Sequence, residues 1–167
     1  MSGRTDGFTL IEAVIVITLL GILAWVALPK LTATTEIRLD AAARRVAADL
    51  RYAQSRAIGT RVVTGIRFTP GAGTYAVYAP AWSAAAVDPA DRSKPLAVDF
   101  ARRTEYQGVT IASASFGATP GVSFDYFGVP RDTAGTDLAS AGRVVLSYQG
   151  LVDTVEVAPG TGKVTIR

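Results

Sequence analysis

A single apolar run fills most of the first thirty residues, and the pattern changes after it. From Phe8 to Leu28 the only charged side chain is that of Glu12. A helix of about 21 residues is about 31 Å long, which is close to the hydrocarbon thickness of a bilayer. The run therefore predicts a hydrophobic helix of membrane-spanning length at the start of the chain.

A cleavable secretory signal and a plain membrane anchor both fit the length of this run, but each leaves one of its residues unexplained. A cleavable secretory signal needs small residues just beyond the apolar core, and a cut after Ala27 would place Trp25 where a small residue is required. A plain membrane anchor explains the length, but an ionised carboxylate near the bilayer costs roughly 2.5–3.5 kcal/mol and needs a partner. Glu12 is therefore the residue that an interpretation of this segment has to explain.

A second helix pattern follows, from Glu36 to Ile58. The segment contains no Pro or Gly and is rich in Ala, Arg and Leu, which favour helices. Two charged pairs four residues apart, Asp40 with Arg44 and Arg45 with Asp49, are expected on its solvent side. Gly59 is expected to end the helix. Its apolar residues recur at steps of four and three and form one stripe: Leu39, Ala43, Val46, Leu50, Ala53 and Ala57.

Beyond Gly59 the pattern becomes that of β-strands. Arg61–Phe68 and Thr74–Ala79 flank a short loop with Pro and Gly and predict a hairpin, while Pro80–Pro95 predicts a long surface loop. Strands that follow one another without helices favour antiparallel pairing, here in two sheets that embrace the helix. The predicted fold class is α+β. Further strands are predicted at Leu96–Phe100, Val109–Ser115, Val122–Phe127, Arg143–Tyr148, Val152–Val157 and Lys163–Arg167.

The composition narrows the possible chemistry. The chain contains neither cysteine nor histidine, so disulfides, thiolate nucleophiles and Ser-His-Asp catalysis are excluded. We therefore expect a protein that is not an enzyme and needs no cofactor. The net charge of +3 makes the chain mildly basic, which permits contact with nucleic acid or anionic lipid without requiring it.

Two further features of the head are open to more than one interpretation. Asp125, Asp132 and Asp137 offer oxygen ligands for Ca²⁺, but their spacing is not that of an EF-hand and Arg131 lies among them. We expect solvated loop acids and no metal site. Trp82, in the long loop, is either an anchor for a partner or a local plug of the core.

The first residues of the apolar run carry a family resemblance. Gly7-Phe8-Thr9-Leu10-Ile11-Glu12 resembles the processing site of type IV prepilins and pseudopilins. The resemblance implies that a prepilin peptidase cleaves between Gly7 and Phe8 and methylates the new N-terminal Phe8. Residues 1–7 would then be a leader peptide. The resemblance also implies that Glu12 faces the free amine of a neighbouring subunit's first residue inside a filament.

This resemblance also implies a division of the chain and a location. Residues 8–35 would form the transmembrane and filament-core helix, the stem, and residues 36–167 the periplasmic head. The protein would cross the cell inner membrane once and later enter a periplasmic pseudopilus. Its expected partners are other pilins or pseudopilins, the prepilin peptidase and the assembly platform of the inner membrane.

The head resembles one branch of the superfamily, the GspH/FimT family of minor pseudopilins and pilins. The matching segments are residues 48–58, 124–130 and 155–164. The resemblance implies a structural subunit at or near the tip of a type II secretion pseudopilus, which supports export of folded proteins. The alternative is a FimT-like minor type IV pilin of pilus assembly or DNA uptake. Those relatives bind DNA through a basic C-terminal motif, which Lys163 and Arg167 echo here.

Overall fold

The computed structural model describes the backbone of residues 9–167 and the side chains of residues 9–23 and 35–167. Contacts divide the chain into two compact units, Met1–Thr35 and Glu36–Arg167. Helix α1, Leu10–Thr60, contributes residues to both units.

Within the larger unit, α1 buries the apolar stripe that its sequence predicts. All six predicted stripe residues are buried, from Leu39 at 4% exposed to Ala57 at 0%. Ala42 and Ala47 are buried beside them and widen the stripe. Because most of these side chains are alanines, the backbone of the helix can lie close to the strands that cover it.

The predicted end of this helix is wrong by two residues. The helix continues through Gly59 to Thr60, whose Oγ1 donates a hydrogen bond to the carbonyl oxygen of Arg56 at 2.7 Å. The residue with left-handed backbone is Arg61, with φ of 55°. Consequently the first strand begins at Thr64 and not at Arg61.

In the described part of the chain, nine strands form two sheets, and the antiparallel two-sheet arrangement is the one that the sequence predicts. One sheet has the order β3-β2-β1-β5-β6 and the other the order β4-β7-β8-β9. A short 3₁₀ turn, Phe100–Arg102, follows β3. The strands are β1 Thr64–Thr69, β2 Thr74–Tyr78, β3 Ala97–Asp99, β4 Thr110–Ser115, β5 Gly121–Phe124, β6 Pro130–Arg131, β7 Gly142–Tyr148, β8 Leu151–Val157 and β9 Val164–Ile166.

The predicted hairpin is confirmed, and one strand was not predicted. β1 and β2 pair through a register that closes at Thr69 and Thr74. β6 pairs with β5 through Pro130 and Arg131 only, which is too short a segment for any alternation to appear in the sequence. The edge position of β6 suits Pro130, because proline donates no hydrogen bond to a sheet ladder.

The core lies between the two sheets and α1 and is rich in aromatic side chains. Phe68 on β1 and Phe116 after β4 are stacked, with ring centroids 5.9 Å apart. Gly142 on β7 lies directly against the Phe116 ring, so that an added Cβ would clash with it. The packing of this region therefore depends on the large Phe116 side chain after β4 and on the absence of a side chain at Gly142 on β7.

One charged pair predicted on the solvent side, Arg45 with Asp49, is instead partly buried through its carboxylate. Asp49 is only 6% exposed; its Oδ2 accepts hydrogen bonds from Tyr75 Oη at 2.6 Å and from Arg45 Nε at 3.0 Å. Burial raises the pKa of the Asp49 carboxyl above its ordinary value. Burial, together with the Asp49 carboxylate, raises the pKa of Tyr75 well above 10. The Asp40–Arg44 pair, at 2.8 Å, is exposed as predicted.

Candidate assembly site

The first turn of α1 places Glu12 on the surface of the smaller unit. The helix begins at Leu10, directly after Thr9, whose Oγ1 accepts a hydrogen bond from the Glu12 N–H at 3.3 Å. Thr9 and Glu12 therefore have the spacing of a capping box, in which a threonine hydroxyl satisfies one of the unpaired N–H groups at the start of a helix. The Glu12 side chain is exposed. The sequence interpretation missed this role of Thr9, although the Thr-x-x-Glu spacing is a readable signal.

The helix after Glu12 exposes apolar side chains on all of its sides. Four consecutive residues, Val14 to Ile17, are each between 43% and 69% exposed. Because consecutive residues point in different directions around a helix, this segment has no polar face. A surface of this kind requires a cover of lipid or protein. Further exposed large side chains of the segment are Leu10, Ile11, Leu19, Leu20, Ile22 and Leu23.

Other residues of the predicted processing site are not described. Gly7 and Phe8 lie outside the residues that the structure describes, so cleavage and methylation there stay predictions. In the described part of the chain, no helix is both long and apolar enough to cross a membrane.

In the head, a single glutamine joins the three segments that carry the family resemblance. Gln54 lies on α1 and its Nε2 donates to the carbonyl oxygens of Gly128 and Thr161, each at 2.9 Å. Arg51, one turn earlier, donates from Nη2 to the carbonyl oxygen of Val164 at 2.9 Å. We call Gln54, Gly128 and Thr161 the Gln54 clamp. The sequence interpretation missed it, because the partners are far apart in the chain.

The loop held at Gly128 is built on a buried carboxylate. Asp125 is 4% exposed; its Oδ1 accepts from the backbone N–H groups of Phe127 and Val129 at 2.9 Å each. Its Oδ2 lies 3.2 Å from Arg131 Nη2. This arrangement fixes a tight turn that leaves Phe127 74% exposed, with its ring centroid 4.4 Å from that of Tyr126.

The three acids considered for Ca²⁺ are engaged within the protein, and the prediction that they are solvated is wrong for Asp125, which is buried. Arg131 lies between Asp125 and Asp137, with its Nε 2.8 Å from Asp137 Oδ1. Asp132 Oδ1 accepts from the N–H groups of Ala134 and Thr136 at 2.9 Å each. Among the residues with described side chains, no three acidic side chains gather into a group that could hold a metal ion. The arginine thus occupies the place that a cation would need.

The two basic residues predicted as DNA contacts have different environments. Lys163 is exposed just before β9. Arg167 Nε lies 3.1 Å from Glu156 Oε2, and the other oxygen of Glu156 accepts from Arg143 Nε at 2.9 Å. Glu156 is 8% exposed, so its negative charge is held beneath the two arginines. Only Lys163 of the predicted pair is left without an ion-pair partner among the described residues.

Comparison with known proteins places the chain in a family. Residues 3–28 match the prokaryotic N-terminal methylation motif, and residues 42–162 match the family of the type II transport protein GspH. The second match covers well over half of the chain, and the chain therefore belongs to the GspH family. No curated protein matches it in sequence.

A solved structure has a similar fold. A crystal structure of the type IV minor pilin FimU of Pseudomonas aeruginosa PAO1 matches with a TM-score of 0.52 and 15% identity, over 77% of this chain and 87% of that one. A second crystal form of FimU matches with a TM-score of 0.49 and 16% identity, over 77% and 92%. The fold is that of type IV pilins, and both family and fold are those of structural, pilin-like subunits.

Proposed function

We propose that the protein is a minor pseudopilin of a type II secretion system. In this role it is a structural subunit at the tip of the periplasmic pseudopilus and supports export of folded proteins across the outer membrane. The observation that carries the proposal is the apolar surface around α1 from Leu10 to Leu23, with Glu12 as its charged residue. Such a surface suits first a lipid bilayer and then the apolar core of a filament.

The proposal includes a processed N-terminus and two locations. The prepilin peptidase removes residues 1–7 by cleaving between Gly7 and Phe8, and Phe8 is methylated. Residues 8–35 hold the protein in the inner membrane, with residues 36–167 in the periplasm. The assembly platform then transfers the stem from lipid to the filament, where other pseudopilins cover it. Membership of the GspH family and the matched methylation motif support this sequence of events.

Glu12 has a defined role in this assembly. Its carboxylate pairs with the N-terminal ammonium of Phe8 in a neighbouring subunit. The two charges attract strongly in a medium of low dielectric constant, and this attraction offsets part of their desolvation. A subunit that is out of register leaves both charges unpaired, so the pairing fixes the axial position of each subunit in the fibre.

The test replaces Glu12 with alanine in cells that lack the native protein. We expect membrane insertion to be retained, because a charge is removed from the apolar helix. Incorporation into filaments and secretion should fall by about tenfold or more, which corresponds to a loss of about 1.4 kcal/mol or more. Filament incorporation is measured in sheared fractions, and secretion by the amount of exported protein in the medium.

Glu36→Ala is the matched control, because Glu36 is an exposed glutamate of the same helix outside the stem. It should leave both readouts unchanged. Mass spectrometry of the wild-type and variant proteins should show the same start at Phe8 with one added methyl group, which separates processing from assembly. Wild-type secretion by the Glu12→Ala protein would refute the pairing, and a start at Leu28 would refute the processing site.

The alternative function is that of a FimT-like minor type IV pilin in pilus assembly or DNA uptake. The exposed Lys163 and the arginines along α1 support it. Two of these arginines are already neutralised, since Asp40 pairs with Arg44 and Asp49 with Arg45; in the C-terminal motif, Glu156 pairs with Arg167. The first proposal is therefore the better supported of the two.

A DNA titration separates these two functions. We expect the head, residues 36–167, to bind duplex DNA with a Kd weaker than ~1 µM at physiological salt, the range of non-specific binding. The measurement is fluorescence anisotropy at two salt concentrations, with the Lys163→Ala/Arg167→Ala double variant as comparison. Tight binding with a steep salt dependence that the double variant abolishes would establish the DNA-uptake function instead.

A further inference from the structure

The head carries an open groove of about 800 Å³ on the outer face of the five-stranded sheet. Its floor includes Ala76 on β2 and Ala97 on β3, which are register partners, and Arg67 on β1 is the next residue in the same row. The opposite wall is the segment from Arg102 to Glu105. Because the side chains of Ala76 and Ala97 are single methyl groups, they leave room between Arg67 and this wall.

Trp82 holds Arg67 at the edge of the groove. The Arg67 Cζ lies 4.9 Å from the centroid of the Trp82 ring and 5.8 Å from that of Tyr78. These are distances at which a guanidinium is attracted to an aromatic ring. A guanidinium against two rings has less freedom than one on an extended side chain in water, so Arg67 is positioned before any ligand arrives.

The fold makes specific room for this tryptophan. A Cβ added at Gly65 would lie 2.9 Å from Trp82 Cη2, and one added at Gly121 would lie 3.1 Å from the same atom. Trp82 itself has a φ of 65°, a conformation that bulky residues rarely adopt. Trp82 lies half-buried between these glycines and Arg67 and is not among the residues of the described core, so the interpretation as a plug of the core is not confirmed.

The charges in the groove are unevenly paired. Arg102 Nε lies 3.0 Å from Asp99 Oδ2, so these two side chains neutralise each other. Over the described side chains, neither Arg67 nor Arg103 has a carboxylate partner, and Glu105 has no ion pair. Arg67 thus presents unpaired N–H donors in a planar fork, the arrangement that matches a carboxylate or a phosphate.

We propose that this groove binds an extended segment of a partner protein and that a carboxylate of the segment pairs with Arg67. An open groove cannot enclose a small molecule on most of its sides, whereas a polypeptide can lie along it. Glu105, which has no ion pair among the described side chains, would repel the repeated phosphates of a nucleic acid. Trp82 lies between Gly65 and Arg67, so it leaves little surface on which a base could stack. The proposal does not depend on the stem or on filament assembly.

The test uses the full chain in neutral detergent micelles and two fluorescein-labelled heptapeptides of alanine and serine. One peptide carries two glutamates, and the other carries two glutamines in their place. Binding is measured by fluorescence anisotropy at fixed ionic strength. We expect the glutamate peptide to bind about tenfold more tightly than the glutamine peptide, which is the effect of one charge-assisted hydrogen-bonded pair.

Three variants assign the effect to Arg67. Arg67→Gln should remove the difference between the peptides, and Arg67→Lys should restore only part of it, because lysine has the charge without the planar fork. Arg92→Gln removes the same charge from an exposed residue outside the groove and should change nothing. Equal binding of both peptides, no binding up to millimolar concentration, or an equal loss in Arg92→Gln would overturn the proposal.

Discussion

Replacing Asp49 with alanine is expected to lower the free energy of unfolding of the head by about 3 kcal/mol, the lower end of the range for breaking a buried ion pair. The variant leaves the buried Tyr75 hydroxyl without its acceptor at 2.6 Å. It also leaves Arg45 without its partner at 3.0 Å, although water can reach this arginine because 33% of its side chain is exposed. The measurement is urea unfolding of residues 36–167 followed by circular dichroism.

Two further variants make this expectation specific. Asp49→Asn keeps an oxygen acceptor for Tyr75, and its cost should be smaller, because the raised pKa of Asp49 shows that its surroundings favour the uncharged form. Asp40→Ala breaks an ion pair of the same spacing whose side chains are 73% and 50% exposed, and should change stability by roughly 0.5 kcal/mol or less. Equal losses in Asp49→Ala and Asp40→Ala would show that burial of the first pair adds nothing.

The buried contact between Asp49 and Tyr75 also makes the free energy of unfolding of the head depend on pH. The pKa of Tyr75 is raised above 10 in the folded state, so its contribution is fully present below pH 10 and is lost as the pH rises further. The pKa of Asp49 is raised above 3.8, so its contribution is likewise lost as the pH rises through the folded value. Tyr75→Phe should reduce the loss of stability above pH 10, relative to the wild type.

The elements of the fold that follow from local pattern could be predicted from the sequence. The stripe from Leu39 to Ala57 and the β1–β2 hairpin depend on spacings of a few residues, and both are confirmed. The burial of Asp49 could not be predicted, because an i,i+4 pair looks the same in sequence whether or not a distant strand covers it. Here the covering residue is Tyr75, on β2.

The assembly motif and the Gln54 clamp also differ in how far the sequence predicts them. Gly7, Phe8 and Glu12 form a contiguous motif, which is why the sequence suffices to propose their roles. The Gln54 clamp joins residues that are 74 and 107 positions apart, and no local pattern marks a glutamine on a helix as their meeting point. The resemblance of three separate head segments to one family was the indirect signal, since all three meet at this side chain.

Replacing Gly162 with alanine is expected to lower the free energy of unfolding of the head strongly, and Gly160→Ala is the matched control. Both have left-handed backbone, with φ of 66° and 72°, where alanine costs about 1–2 kcal/mol. Their surroundings differ. A Cβ at Gly162 would lie 2.5 Å from Gln54 Nε2 and 2.8 Å from the carbonyl oxygen of Gly128, whereas one at Gly160 would meet nothing within 4 Å. A comparison of the two alanine variants therefore separates backbone strain from crowding.

Gly160→Ala is expected to lower the free energy of unfolding by the strain alone, and Gly162→Ala by a further 1–3 kcal/mol, roughly the cost of overpacking. Removing Gln54 as well should recover part of the second loss, because one of the two crowding atoms disappears; the Gly128 oxygen is backbone and stays. The Gln54→Ala/Gly162→Ala double variant should therefore be less destabilised than the sum of its single variants. Additive losses, or equal losses at Gly160 and Gly162, would contradict the tight contact of the two loops at Gln54, since the crowding there would then have no energetic consequence.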